Sequence, residues 1–210
     1  MKTMLSLGIC ISLLFSCSST QLLTSWKSPE ATARKFNKIL IGGMMGAKDR
    51  ELRENIENAL VQSLKAKGLN AFSAYQTYGP KAFEGLSEKE AAQKVTADGF
   101  DGAFTIVLLD RSKEKNYTPG SMYYSPYAIG YSRYWRHYYT LYDRVYTPGY
   151  YTTSTNYVLE ANFFNLAAGA DALEYSAQTK TFDPGSAQAL AAEFTRTVVD
   201  DMIKKGVITN

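Results

Sequence analysis

The run Asp101-Gly102-Ala103-Phe104-Thr105-Ile106-Val107-Leu108-Leu109-Asp110 is the most apolar stretch beyond the N-terminus. Successive side chains of a strand point to opposite faces, so a strand apolar at odd and even positions must be covered on both. Covering both faces calls for helices on each side of a sheet, which puts the chain among α/β architectures. A second run of this kind, Lys38-Ile39-Leu40-Ile41-Gly42-Gly43, is short and closed by glycines.

Helical patterns lie between and after these runs. Asp49 stands at an N-cap position, and Leu52, Ile56, Ala59, Leu60 and Leu64 then recur at helical spacing until Gly68. Ala71-Phe72-Ser73-Ala74-Tyr75 reads as a short strand. Ser87-Glu88-Lys89-Glu90 is a capping box whose helix ends near Gly99. The order so far is β-α-β-α-β, with connections long enough for parallel, right-handed crossovers.

From Thr153 to Phe164, Thr155, Tyr157, Leu159, Ala161 and Phe163 alternate with Ser154, Asn156, Glu160 and Asn162, interrupted at Val158. With Leu173 to Phe182 this predicts an antiparallel hairpin, whose connection contains Asn165 and Gly169. Asp183-Pro184-Gly185-Ser186 caps a last helix striped by Leu190, Ala191, Phe194, Val198 and Met202, with Gly206 as its stop. The expected fold is α/β (α+β): one mixed five-stranded sheet, with strands near 38–43, 71–75, 102–110, 153–164 and 173–182. Three helices near 50–67, 88–98 and 187–205 cover it. No internal repeat is visible.

The N-terminus sets the address. A single cation, Lys2, precedes an apolar run from Met4 to Phe15, the pattern of a secretory signal and too short for the roughly 20 residues of a spanning helix. Leu14-Phe15-Ser16-Cys17 resembles the bacterial lipoprotein cleavage motif, with an aliphatic residue, a small residue before the cut and then cysteine. Phe15 departs from the small residue usual between them. The resemblance implies that Cys17 is acylated and begins the mature chain, and that Ser18 after it directs the protein to the outer membrane. Cys10 would leave with the signal, so no pair remains for a disulfide. The expected organisation is a signal at 1–16, a lipidated N-terminus and tether at 17–36, and an α/β domain at 37–210 with an insertion at 117–151.

That insertion is the compositional anomaly: 12 of the 16 tyrosines lie between Tyr117 and Tyr151. Tyr131, Tyr134, Trp135, Tyr138, Leu141, Tyr142 and Val145 fall at amphipathic-helix spacing, with Arg133, Arg136, His137 and Arg144 on the polar side. Tyrosine is nevertheless a poor helix former and a good strand former. Three readings stand open: an excursion covering the sheet or extending the hairpin, a contact surface for a protein or glycan, or an interfacial helix on the membrane. The contact surface would be made by Tyr131, Arg133, Tyr134, Trp135, Arg136, Tyr138 and Tyr142.

Catalytic chemistry finds little support. His137 is the single histidine, and no His, Cys or carboxylate cluster accompanies it for a metal. Asp143 is poorly spaced to orient it in a triad. Gly42-Gly43-Met44-Met45-Gly46 follows a strand and precedes a helix but lacks the Gly-Lys-Ser/Thr ending of a phosphate loop. Asp200 and Asp201 are adjacent on a helix and diverge, unlike a glycosidase pair. Trp26 reads as a packing residue. The charge balance of +3, from 23 basic and 20 acidic residues, with no basic run, disfavours nucleic acid.

The chain resembles a family of bacterial envelope lipoproteins whose domain has no assigned function. The resemblance is carried by Trp26-Lys27, Lys38 to Gly42, Arg50, Asp101-Gly102-Ala103, Val158-Leu159-Glu160-Ala161-Asn162-Phe163 and Ser176-Ala177-Gln178-Thr179-Lys180-Thr181-Phe182-Asp183-Pro184. Tyr175 stands where members often have Trp. The topology is also similar to lipoprotein domains that regulate peptidoglycan synthases or assemble secretion channels. That similarity implies a partner-binding role, with an envelope protein or peptidoglycan as partner; with Cys17 and no convergent catalytic set, the expectation is a lipid-anchored, non-catalytic envelope protein without a cofactor. The alternative is a cell-wall hydrolase using residues of the insertion.

Overall fold

The structure, a computed structural model, describes residues 19–208 apart from 33, 82, 133–136 and 169–171, and within 124–143 it describes the backbone alone. The signal sequence and Cys17 lie outside these residues. Two compact units are present: Ser112–Thr155, and the residues before and after it.

The larger unit is built on a six-stranded mixed sheet in the order β1-β8-β7-β4-β2-β3. Its strands are β1 (Thr20–Lys27), β2 (Ile39–Met44), β3 (Ala71–Ser73), β4 (Gly102–Thr118), β7 (Tyr150–Asn165) and β8 (Leu173–Phe182), of which β4 and β7 continue into the smaller unit. Its helices are α1 (Arg50–Ala66), α2 (Ala74–Tyr78), α3 (Glu88–Ala97) and α4 (Ala187–Lys204). β2 lies parallel to both β3 and β4, with Ile39 opposite Ala71 and Gly102. β7 and β8 are the expected antiparallel hairpin, with Ala161 opposite Ala177.

The two sequence patterns correspond to two kinds of covering. Ile39, Ile41, Phe104 and Ile106 face α1 and α4 in one core, while Leu40 meets Ala74, Val95, Phe100 and Leu166 in a second core on the other face. That is why β2 and the first half of β4 carry apolar residues at odd and even positions alike. β7 and β8 bury Leu159, Ala161, Phe163, Tyr175 and Ala177 on the first face, and Phe164 packs in part against the second core. Their other face is half-exposed, and there Glu160 accepts from Asn162 at 2.9 Å and from Gln178 across the strands at 2.7 Å.

Helix ends follow the capping signals in part. Ser87 and Glu90 form the capping box of α3, and the Ser186 hydroxyl accepts from Ala189 N at 3.0 Å. Asp49 is an exception. It occupies the N-cap position of α1 without capping, because its carboxylate is taken by Arg111 at 2.5 Å. Gly68, Gly99 and Gly206 stop their helices with positive φ.

Three expectations need correction. The sheet has six strands, because Thr20–Lys27, inside the segment assigned to a tether, pairs with β8 as an edge strand. Trp26 on that strand is 47% exposed rather than packed. The expected second strand, at 71–75, ends at Ser73, where the serine hydroxyl accepts from Gln76 N and turns the chain into α2, a helix beyond the three expected.

The smaller unit corrects the helix reading of 131–145. Ser121–Ser132 is β5 and His137–Thr147 is β6, joined as a two-stranded antiparallel sheet from the pair Ser121–Thr147 to the pair Ser132–His137. β-propensity prevails over a helical spacing that nothing flanking supports. Pro126, which cannot donate to a ladder, sits where the register shifts. Entry and exit are two Thr-Pro-Gly turns, Thr118-Pro119-Gly120 and Thr147-Pro148-Gly149, packed backbone to backbone. A Cβ at Gly120 would lie 2.6 Å from the Thr147 carbonyl oxygen, and one at Gly149 would lie 2.9 Å from Gly120 N. Beside them Asn116 and Thr152 hydrogen-bond, and the Tyr117 and Tyr151 rings stack at 4.8 Å.

Gly120→Ala and Gly149→Ala should therefore each destabilise the smaller unit by about 1–3 kcal/mol through overpacking against backbone that cannot yield. Limited proteolysis should cut first within 112–155, with the unfolding midpoint of the larger unit unchanged. Wild-type resistance in both variants would contradict the packing described.

Candidate functional site

Two surfaces qualify, one in each unit. In the smaller unit Tyr117, Met122, Tyr123, Tyr146, Tyr150 and Tyr151 are all more than half exposed, Tyr151 reaching 72%. Scattered exposed apolar residues are ordinary, but a concentration of this kind is a mark of interaction sites. Tyrosine suits the role because it offers a large amphipathic contact with few rotatable bonds to fix.

Of the residues expected to form the contact surface, Tyr131, Tyr138 and Tyr142 lie on the ribbon. Tyr131 stands opposite Tyr138 in β6, and Tyr142 opposite Pro126 in β5. Arg133, Tyr134, Trp135 and Arg136 lie outside the described residues, as does Cys17. His137 is on β6 opposite Ser132. Among the described residues no three His, Cys, Asp or Glu side chains converge as a metal site, and no helix is long and apolar enough to cross a membrane.

In the larger unit a crevice of about 880 Å³ opens at the carboxyl end of β2. Its floor is Leu40, Gly42, Gly43 and Ala103 from the sheet, with Phe164 at the end of β7 and Leu166 just after it. One wall comes from Met44 to Ala47 and the first turn of α1, the other from Phe83, Leu86 and the Ala91-Ala92-Val95 face of α3. β3 and β4 flank β2 on opposite sides, so the connections diverge here, which is where open α/β sheets leave a binding crevice.

Three residues that line the crevice, Gly43, Arg53 and Tyr75, are hydrogen-bonded to Glu57, which the sequence reading does not single out. Glu57 on α1 is fully buried, and its two oxygens accept from Gly43 N at 2.9 Å, Arg53 Nε at 3.0 Å, the Ser73 hydroxyl at 2.5 Å and Tyr75 N at 2.9 Å. One carboxylate thus ties the end of β2, the end of β3 and the start of α2 to α1. Gly43 admits the contact, since a Cβ there would meet Arg53 Cγ at 2.8 Å. Arg53 and Arg50 both stack on the Tyr75 ring, 5.2 and 5.3 Å from its centroid. Hydrogen bonds from Arg50 to Glu54 and Tyr75 hold the Arg50 guanidinium above its ordinary pKa and Glu54 below its own. The 42–46 run is a glycine strand end and turn, and buried Asp49, paired with the exposed Arg111, occupies the start of α1 where a phosphate loop would place its ligand.

No family model matches the chain, and no curated protein matches it. Solved structures similar to it include the PelC dodecamer of Paraburkholderia phytofirmans, at 10% identity and TM-score 0.44, covering 86% of this chain and 94% of that one. The lipoprotein GNA1162 of Neisseria meningitidis matches at 12% identity and TM-score 0.41, covering 80% of this chain and 98% of that one. Likeness at this level says nothing of a shared partner.

Proposed function

We propose that the protein is a non-catalytic, lipid-anchored component of a bacterial envelope that holds an envelope partner, protein or glycan, through the tyrosine-rich hairpin. The observation that carries this reading is the cluster of exposed tyrosines on β4–β7 within 117–151, since Tyr, Trp and Arg dominate binding hot spots. The anchor rests on Cys17 after Leu14-Phe15-Ser16, and the outer membrane on Ser18. Two or three acyl chains hold a domain stably where one does so only marginally.

Joint replacement Tyr146→Ser, Tyr150→Ser and Tyr151→Ser tests the surface. All three side chains are exposed, so each should change stability by no more than about 0.5 kcal/mol. In-cell crosslinks formed by the full chain, or its sedimentation with purified sacculi, should fall at least tenfold. Unchanged crosslinking and sedimentation would remove the hairpin from the account, and soluble fragments released from sacculi would make the protein a hydrolase. Mass spectrometry of membrane-extracted protein should find acyl chains on Cys17.

A further inference from the structure

The crevice beside β2 has no part in the tyrosine surface. We propose that it receives the acyl chain of an anionic membrane lipid, with the head group beside Arg50 and Arg53. This rests in part on the lipid-anchor reading, which brings the domain to a bilayer.

Shape and lining point to a chain. The volume of about 880 Å³ falls in the range of small-molecule sites, roughly 300–1,000 Å³. Leu40, Phe83, Val95 and Leu166 line the interior, while Met44 and Leu86 stand at the rim, 53% and 40% exposed. Large apolar side chains left in water around a concave apolar site mark a place where apolar matter docks, and methionine adapts to chains of varied shape. The charged side chains at the opening are Arg50 and Arg53 from α1 and Lys81, Glu84 and Glu88 from the segment leading into α3 and its first turn, three cations against two carboxylates. Both guanidiniums are fixed on Tyr75, and each has more donors than its one carboxylate consumes, so an anionic head finds charge-assisted donors on the α1 side.

Register places the opening at the anchored end. Thr20, three residues after Cys17, lies opposite Thr181, which lies opposite Tyr157. Tyr157 carries Arg111 at 5.1 Å from its ring, and Arg111 bonds Asp49 just beyond the crevice wall. The start of the folded chain and the crevice therefore share one end of the sheet. Four strand spacings separate β1 from β2, about 19 Å.

Calorimetric titration of the mature chain carrying Cys17→Ser with laurate and myristate, below their micellar concentrations, tests the site. Binding should be saturable at one site, and the two added methylenes should tighten it about 15-fold. Ala92→Phe, which fills the crevice, and Met44→Glu, which charges the exposed rim, should each weaken myristate at least tenfold with unfolding midpoints kept. Arg50→Gln should weaken myristate but not tetradecyltrimethylammonium. No saturable binding, or wild-type affinity in both Ala92→Phe and Met44→Glu, overturns the proposal. An acylated wild type that refuses myristate while Cys17→Ser takes it would show the protein's own chain in the crevice, and would overturn the membrane-lipid assignment. Because the titration uses an unacylated chain, it is independent of the anchor: an unmodified Cys17 in the wild type would sink the anchor and leave a myristate site standing.

Discussion

Glu57→Leu should lower global stability by about 3–5 kcal/mol, a large share of the 5–15 kcal/mol typical of a domain. The cost arises from what the substitution abandons. Gly43 N, Tyr75 N and the Ser73 hydroxyl lose a buried acceptor, and Arg53 loses its carboxylate. Each donor stranded away from water costs about 1–3 kcal/mol, offset where the chain relaxes. Glu57→Gln keeps one acceptor oxygen but turns an amide N–H2 toward donors, so it should fall between wild type and Leu. Urea unfolding of the three proteins gives the order directly, and a loss under about 1 kcal/mol for Leu would mean that the four bonds do not form together.

Phe194→Ala should cost a similar amount by another route. Phe194 is completely buried, on the α4 stripe with Leu190, Val198 and Met202 that faces Leu159, Ala161 and Phe163 of the sheet. Truncation removes the transfer free energy of the ring and leaves a cavity that close-packed neighbours fill only partly, about 3–5 kcal/mol together. Tyr151→Ala provides the control. An equally large aromatic is removed at a position 72% exposed, and the effect should stay within about 0.5 kcal/mol. Equal effects at the two positions would contradict the division into core and contact surface.

What the sequence discloses of this fold follows from which forces are local. α1, α3, α4 and the β7–β8 hairpin advertise themselves by a period, because a buried face repeats every second residue on a strand or every third to fourth on a helix, and β2 by an unbroken apolar run. β1 has no such signal. Leu22, Leu23 and Trp26 remain exposed, and the strand is held by backbone pairing with β8 and by Glu193, which accepts from Ser19 at 2.8 Å and Thr20 at 3.1 Å. Burial pushes the Glu193 pKa up, but those hydrogen bonds together hold it below its ordinary value. Asp49 illustrates the same limit, since its partner Arg111 is 62 residues away. In the tyrosine-rich stretch both odd and even positions carry tyrosine, as at Tyr131 and Tyr134, so a period of two cannot emerge and a helical spacing arises from the leftovers. The pair of Thr-Pro-Gly turns was the readable sign of a hairpin there. Glu57 stands next to Ile56 on the edge of the α1 stripe, where a glutamate looks like the solvent boundary of an amphipathic helix. Only Ser73 and Gly43, brought beside it by the parallel sheet, reveal a buried acceptor.

The central claim is that the tyrosine-rich hairpin is a contact surface carried by a core that does not need it. Replacing residues 117–151 with Asn-Gly is the direct measurement, because the Thr152 hydroxyl donates to the Asn116 carbonyl at 3.4 Å, so the two chain ends lie close enough for a short turn to join them. Loop length itself costs little, about 0.6 kcal/mol per doubling. The account predicts one cooperative unfolding transition within about 1 kcal/mol of wild type, together with complete loss of envelope crosslinks and sacculus binding. Loss of the cooperative transition would show that the tyrosines belong to the core, and retained binding would place the contact elsewhere on the protein.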